Sequence, residues 1–448
     1  MQIDARQEAP ATLADRAPGD ADDLYAALDW LGERQSRIED RLARRHLNEG
    51  ELVLYDVSSS YFEGRTCPLA ERGYSRDGRR GSLQIVYGLL CDREGRPVAV
   101  EVFEGSLHDD KTVPAQLEKL RERFGLTKLV LCLDRGMVTE ANLEALRTEG
   151  IAWITALKAP QVKKLARTQV LQPSLFDQLN LAEVTAEEYP GERLVVCRNP
   201  LVADDRRRRR EDLLQATERE LAPIRKRVQA GTLHGKAEIG LAVGAVANKY
   251  KVKKHFLFEI DDDRFDYRRN QQRIAEEAAL DGIYVLRTSV PAAELAGADV
   301  VRSYKQLAEV ERAFRTLKSL DLEIRPINHR REQRVRAHVF LCMLAYYLEW
   351  HLRRAWAELT FEDEQPPPAR DPVAKAERSP EAKRKARQKR TAAGEPCHSF
   401  RTLLSELALV ARTTNRITGT EATFLKVAKA SGVQRRALEL VDLDPDRL

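Results

Sequence analysis

The sequence predicts a mixed α/β core with helices on both faces of its sheet, interrupted by a smaller α+β insertion and followed by a helical C-terminal region. Three observations lead there. Between residues 51 and 105, three β-branched and aliphatic runs follow one another, bounded by Gly, Asp and Arg-Asp-Gly turn signals. Beyond residue 105 the pattern alternates helix, strand, helix, strand, and the later strands are continuously apolar, as strands covered on both faces are. From residue 299 a helical period takes over.

The elements follow in order. Residues 1–22 are acidic, rich in Ala and Pro and without periodicity, and read as a disordered leader. Leu24, Leu28, Leu31, Ile38 and Leu42 then form one amphipathic stripe, a helix within 23–50 that precedes the core. The first part of the core spans 51–158. Its runs ELVLYDVSS (51–59), SLQIVYGLLCD (82–92) and RPVAVEVFEG (96–105) are strands, the last two joined by a hairpin at 93–97. A helix over about 110–124, the apolar strand KLVLCLD (128–134), a helix capped by Thr139 and ended by Gly150, and the strand 151–158 complete it. An insertion subdomain is predicted over 159–298, with strands at 193–198, 254–260 and 282–290 and a long helix from about Asp204 to Arg227. Residues 299–360 return to the core as two helices, one running through 301–319 and one over about 331–356. A Pro-, Lys- and Arg-rich linker (361–397) and a last helix with a polar tail (398–448) end the chain.

Composition excludes several classes. The longest apolar run, Val339–Leu348, is about half of what a membrane span needs, and no charged-then-apolar secretory segment opens the chain. The reading is cytoplasmic. Cys67, Cys91, Cys132, Cys197, Cys342 and Cys397 are scattered without a paired spacing, which argues against a zinc site or a disulfide framework. The net charge of +5 is small, but basic residues cluster at 206–210, 325–336 and 383–390, as a protein that contacts a polyanion would have them. A solvated face or a charged linker accounts for any one cluster taken alone. Trp153 and Lys158 could touch DNA but are read as strand packing and a solvated lysine, and His329 and His338 as phosphate contacts or packing, not metal ligands.

Seventy acidic residues guarantee chance clusters, so position must select among them. Asp56 lies inside the apolar strand 51–59, where an ionised carboxylate is costly unless a cation or donors meet it. Asp134 ends the apolar strand 128–134 and precedes Arg135-Gly136, at the carboxyl end of a strand, where sites in α/β layers concentrate. On a helix at 100° per residue, Tyr304, Glu311, Arg315 and Lys318 fall on one face beside the apolar stripe Val310, Phe314, Leu317. Satisfaction by turn amides is the plain alternative for either aspartate, and an i,i+4 pair with Arg315 is the alternative for Glu311. Together, three carboxylates can hold two Mg²⁺ ions, with Mn²⁺ as a substitute, provided that the groups meet within roughly 4–8 Å.

Asp56 on the first of three antiparallel strands, with Asp134 on the next strand after a crossover helix, is the layout of the ribonuclease H-like fold. The chain resembles the DDE transposases of bacterial insertion sequences, in the branch with a β-rich insertion and a Tyr-x2-Arg-x3-Glu-x6-Lys signature. Here the signature reads Tyr304, Leu307, Glu311, Lys318, with its spacing kept and Leu in place of Arg. The stretches 53–64, 72–90, 134–139, 304–318 and 324–348 carry the resemblance. It implies Asp56, Asp134 and Glu311 as catalytic metal ligands and Tyr304 and Lys318 as DNA-backbone contacts. Arg315 joins them by position, and Arg330 and Arg334 by their place in the basic segment. It further implies strand cleavage and strand transfer on double-stranded DNA by a homodimer. Only about 50 residues precede Asp56, so the resemblance also reads the chain as a copy shortened at its N-terminus. A same-fold nuclease without strand transfer and an inactive DNA-binding relic are the competing readings.

Overall fold

A computed structural model describes residues 3–6, 20–64, 66–168, 170–171, 176, 180–319, 322–367, 371–417 and 422–444. The chain folds as two compact units, one from residues 1–155, 302–370 and 375–448, the other from 156–301 with 371–374.

The first unit is built on a mixed sheet. Leu83–Cys91 is its most enclosed strand: only Leu83 escapes full burial, which an uninterrupted aliphatic sequence tolerates when helices cover both faces. Leu52–Tyr61 pairs with it antiparallel on one edge, and Glu71–Arg72 and Pro97–Phe103 share the other. Beyond Leu52–Tyr61 the direction changes. Val130–Leu133 runs parallel to it, and Ala152–Ala156 runs parallel to Val130–Leu133. Three antiparallel strands followed by two parallel ones is the ribonuclease H-like order. Leu54, Tyr55, Ile85, Tyr87, Leu89 and Leu131 are inaccessible at the centre of this core. The helix Leu307–Leu317 packs on Leu52–Tyr61, with Phe314 edge-on to Tyr87 at 5.7 Å between ring centres. The helix Glu332–Ala355 lies against Pro97–Phe103, as does Gln35–His46.

Several local expectations change. The N-terminal stripe is two helices, Ala21–Gly32 and Gln35–His46, because the chain turns after Gly32. Asp20 caps the first with a reciprocal capping box. Of the segment read as a disordered leader, Ile3–Arg6 is a strand paired antiparallel with Arg412–Ile417, while residues 1–2 and 7–19 lie outside the described residues. The helix expected through 301–319 is broken at Gln306 into Gly297–Lys305 and Leu307–Leu317. The segment read as linker contains the helix Pro380–Gln388, where Lys385 is buried, donates to the Ala357 carbonyl at 2.8 Å and pairs with Glu364 at 2.5 Å. A lysine can pin a helix in this way because its aliphatic stem packs while its head finds acceptors. The terminal helix is short, Phe400–Leu407, and is followed by the hairpin Arg412–Ile417/Thr423–Val427 and the helix Gly432–Glu439.

The second unit has its own cores. Leu181–Val184, Arg193–Arg198 and Ile283–Thr288 form antiparallel pairs over Leu157, Leu165, Leu194 and Val196. The thirty-residue helix Pro200–Gln229 and the helix Lys236–Lys249, which the sequence reading did not separate from its surroundings, pack with the hairpin Phe256–Ile260/Phe265–Arg269 around Leu221, Ile239 and Val243. The arginine run is largely spoken for. Arg207 pairs with Asp204 at 2.7 Å, Arg208 pairs with Asp205, and buried Arg210 reaches Asp281 at 2.5 Å. Glu192 and Arg287, 1% and 3% exposed, form a two-pronged ion pair at 2.5 Å on each prong.

No helix among the described residues is long and apolar enough to cross a membrane. Among the described residues no disulfide joins any of the six cysteines, and all but Cys397 are buried.

Candidate active site

Strand register places the first two carboxylates. Tyr55 is paired with Leu133 across the parallel strands, so Asp56 and Asp134 occupy the next position on each. Neighbouring strands stand about 4.8 Å apart, and side chains at matched positions share a face. Beyond Leu133 the strand ends, and Asp134 caps the turn Arg135–Met137, where the Gly136 amide approaches its Oδ2 at 3.4 Å. A Cβ at Gly136 would stand in ordinary contact with the Asp134 and Asp109 carboxylates, at 3.5 and 3.6 Å, so both acids line this turn.

Asp56 is the electrostatic centre. Its hydrogen bond is a short local one, from the Val57 amide at 2.8 Å. Its carboxyl is pushed up to about 7, by burial first and then by the negative charges of Asp134 and Glu311, with the Val57 amide and Arg76 opposing them. Of the other two acidic residues singled out by sequence, Asp134 acts on Asp56 more strongly than Glu311 does. The Tyr304 hydroxyl donates toward Asp134 Oδ1 at 3.5 Å, and burial together with the Asp134 charge raises the phenol.

Glu311 is placed differently. It is 62% exposed, lies within 3.7 Å of Arg315 on the same helix, and that pair is the surface contact its spacing allows. Lys318 ends this helix and turns to Asp77 at 2.9 Å. Arg334 is engaged by Asp29 at 2.8 and 2.9 Å and stacks over Tyr25, which ties the N-terminal helix to Glu332–Ala355. Arg330 is exposed. Trp153 is buried, and His329 faces His338 with ring centres 5.3 Å apart.

Sequence reasoning missed Arg76, Asp77 and Asp109. Arg76 forms an ion pair with Asp109 beside the carboxylates, and Asp77 pairs with Lys318 and Arg325. The tripeptide Arg76-Asp77-Gly78 looks like a turn marker in sequence. The signal that was present is an adjacent pair of opposite charges between two apolar strands, and their partners are far along the chain.

A family profile described as "Transposase DDE domain" matches residues 50–348. The chain belongs to the DDE transposase family. No curated relative matches significantly. Among solved structures the chain is similar to a piggyBac transposase synaptic complex with hairpin DNA, at TM-score 0.34 and 10% identity over 74% of this chain and 56% of that one. It is also similar to a Mos1 transposase paired-end complex with left transposon end, at TM-score 0.18 and 12% identity over 35% and 49%. A Mos1 strand transfer complex matches at TM-score 0.17 and 15% identity over 31% and 44%. The chain spans about half the length of these relatives.

For a DDE transposase the fit of these carboxylates to a divalent cation is the point to test. The donors are hard oxygens, and Asp56 is a crowded, largely buried carboxyl held near neutrality by burial and two other acids, which is the chemistry a cation relieves. The residues fit in kind. Their arrangement is not the closed set expected from sequence: among the described residues, no three His, Cys, Asp or Glu side chains stand together as a ready metal site. Glu311 facing Arg315 is the physical reason we assign.

Proposed function

We propose that this DDE transposase cuts DNA strands and transfers the freed 3′ ends in a metal-dependent reaction, with Asp56, Asp134 and Glu311 as the metal-holding carboxylates. The observation that carries the reading is the register of Asp56 and Asp134 on adjacent parallel strands, with the Glu311 charge felt at Asp56. When bound, a pair of Mg²⁺ ions, or Mn²⁺ in their place, supplies an activated water or 3′-hydroxyl and stabilises the leaving oxygen.

The chain's own groups have distinct tasks. Asp56 and Asp134 hold the charge platform on the rigid sheet. Glu311, on the separate helix Leu307–Leu317, completes it by leaving Arg315, which then faces DNA phosphates. Tyr304 steadies Asp134 through its hydroxyl. Lys318 and Arg330 contact the phosphate backbone, with Arg334 behind them as a tie between helices. Partners in this reading are double-stranded DNA, as element ends and as target, and a second copy of the chain on paired ends. Cytoplasmic location at the nucleoid goes with that substrate.

The test uses a linear duplex carrying the flanks of the DNA segment that encodes the chain. The parent should release 3′-hydroxyl ends at those flanks with Mg²⁺ and join them to a second duplex. Asp134→Asn should do neither while binding the duplex as well as the parent or slightly better, because it removes a negative charge. Cleavage without joining would replace the reading by a nuclease, and binding without cleavage by the parent would replace it by an inactive DNA-binding protein.

A further inference from the structure

Tyr74 is the most exposed of the large apolar and aromatic side chains among the described residues, at 82%. The loop that carries it is nevertheless tied down along its length. The Tyr74 carbonyl accepts from the side-chain amide of Gln84 at 3.2 Å, and the same amide nitrogen donates to the Gly105 carbonyl at 2.7 Å. Gln84 is itself only 2% exposed, so this anchor belongs to the core. A Cβ at Gly73 would stand 2.2 Å from the Gly105 oxygen, and glycine is what lets the two backbones approach there. Two residues beyond the ring, the Arg76 amide donates to Ser59 Oγ at 3.1 Å, and Asp77 Oδ2 accepts from the Tyr61 amide at 3.0 Å. Residues 73–77 are thereby fastened to Leu52–Tyr61, the strand that carries Asp56, and Arg76 reaches Asp109 beside the carboxylates.

The ring at the tip of this loop has no task in the fold. Its exposure leaves it outside the core, and among the described residues its hydroxyl makes no hydrogen bond. The Arg76 guanidinium stands 5.8 Å from its centre, and Arg72 and Arg80, both exposed, add positive charge to the same loop. An open aromatic face among arginines suits a nucleobase that has left its pair, which stacks on the ring while its backbone meets the cations. A protein partner would ask for a wider apolar patch than one ring. A paired base inside a duplex presents its edge in the groove and keeps its face in the stack.

We propose that Tyr74 is a stacking platform for an unpaired base of the DNA strand that is drawn to Asp56 and Asp134. This deepens the reading of the chain as a strand-cutting transposase and rests on it. A base separated from its partner loses the stacking it had in the duplex, and a ring already held in place returns that interaction without an ordering cost in the loop. Stacking is tolerant of sequence because every base has a π-face, so the platform serves whichever base lies beside the cut.

The experiment compares a fluorescein-labelled oligothymidylate with a blunt duplex of the same length, each titrated with the full-length protein and read by anisotropy. Tyr74→Ala should weaken the single strand about tenfold. It should leave the duplex affinity and the slope of log affinity against log salt at the parent's values, because no charge is removed. Tyr74→Phe keeps the face, loses only the hydroxyl and should bind both as the parent does. Both variants should melt with the parent, since the ring lies outside the core. Parent-like binding of the single strand by Tyr74→Ala overturns the assignment. So does a loss in Tyr74→Phe equal to that in Tyr74→Ala, which would make the hydroxyl the contact, or an equal loss on strand and duplex. A parent that binds the duplex but not the single strand overturns this assignment alone. A parent that binds neither overturns the functional reading first, and this one with it.

Discussion

Asp56 and Asp134 each stand one residue beyond the paired residues Tyr55 and Leu133 on adjacent parallel strands. The relationship is set by backbone hydrogen bonds, so the two carboxylates are held together before any ligand arrives. Burial, and like charges brought together there, resist ionisation, which is why the Asp56 carboxyl lies near 7 instead of its ordinary 3.8.

The first consequence concerns stability. A carboxyl whose folded pKa is raised favours the fold while it is protonated. That contribution is complete below about pH 4 and disappears as pH rises through about 7. Asp56→Asn cannot ionise, so at pH 8 it should stabilise the metal-free protein by about 2 kcal/mol, allowing for partial solvation, and by little at pH 4. Thermal unfolding across that range checks it. Equal midpoints for parent and variant at pH 8 would contradict a crowded Asp56.

A bound cation should pull Asp56 back into the ionised state. Below pH 7, Mg²⁺ binding should therefore release close to one proton, and apparent affinity should rise from pH 5 to pH 8 and then level off. Calorimetry in two buffers of different ionisation enthalpy counts that proton. A proton count near zero at pH 6 would mean that Asp56 does not meet the ion.

Glu311 separates function from fold. It is exposed and touches Arg315 only at 3.7 Å, so Glu311→Gln should change stability by less than about 0.5 kcal/mol while abolishing strand cleavage. Residual cleavage above about a tenth of the parent rate would remove Glu311 from the ligand set.

The second unit offers a control unconnected with catalysis. Glu192→Gln removes the charge that the buried Arg287 guanidinium meets on two prongs and should cost about 3 kcal/mol. Chemical denaturation of the full chain should show this loss in whichever transition belongs to that unit.

Much of the first unit is legible in the sequence. Its strands are long aliphatic runs, so local pattern and turn residues find them, and Asp56 and Asp134 stand out as acids at strand positions. What escapes has identifiable causes. The break at Gln306 leaves no mark in composition, because helix formers continue through it and only tertiary packing turns the chain. Pro380–Gln388 is hidden by its charge: beside Ala382, its buried residue is Lys385, a residue type that pattern reading assigns to solvent. Asp77 and Asp109 gain meaning from partners up to 248 positions away, Arg325 in the case of Asp77, and no local window spans that distance.

The central claim is that Asp56, Asp134 and Glu311 form one divalent-cation site. Its most direct test is an electron paramagnetic resonance titration of the full-length protein with Mn²⁺, run on the parent, Asp134→Asn and Glu311→Gln. The account predicts saturable binding by the parent, displaced by Mg²⁺, nearly lost in Asp134→Asn and reduced in Glu311→Gln. Binding of equal strength and stoichiometry in all three proteins would contradict it.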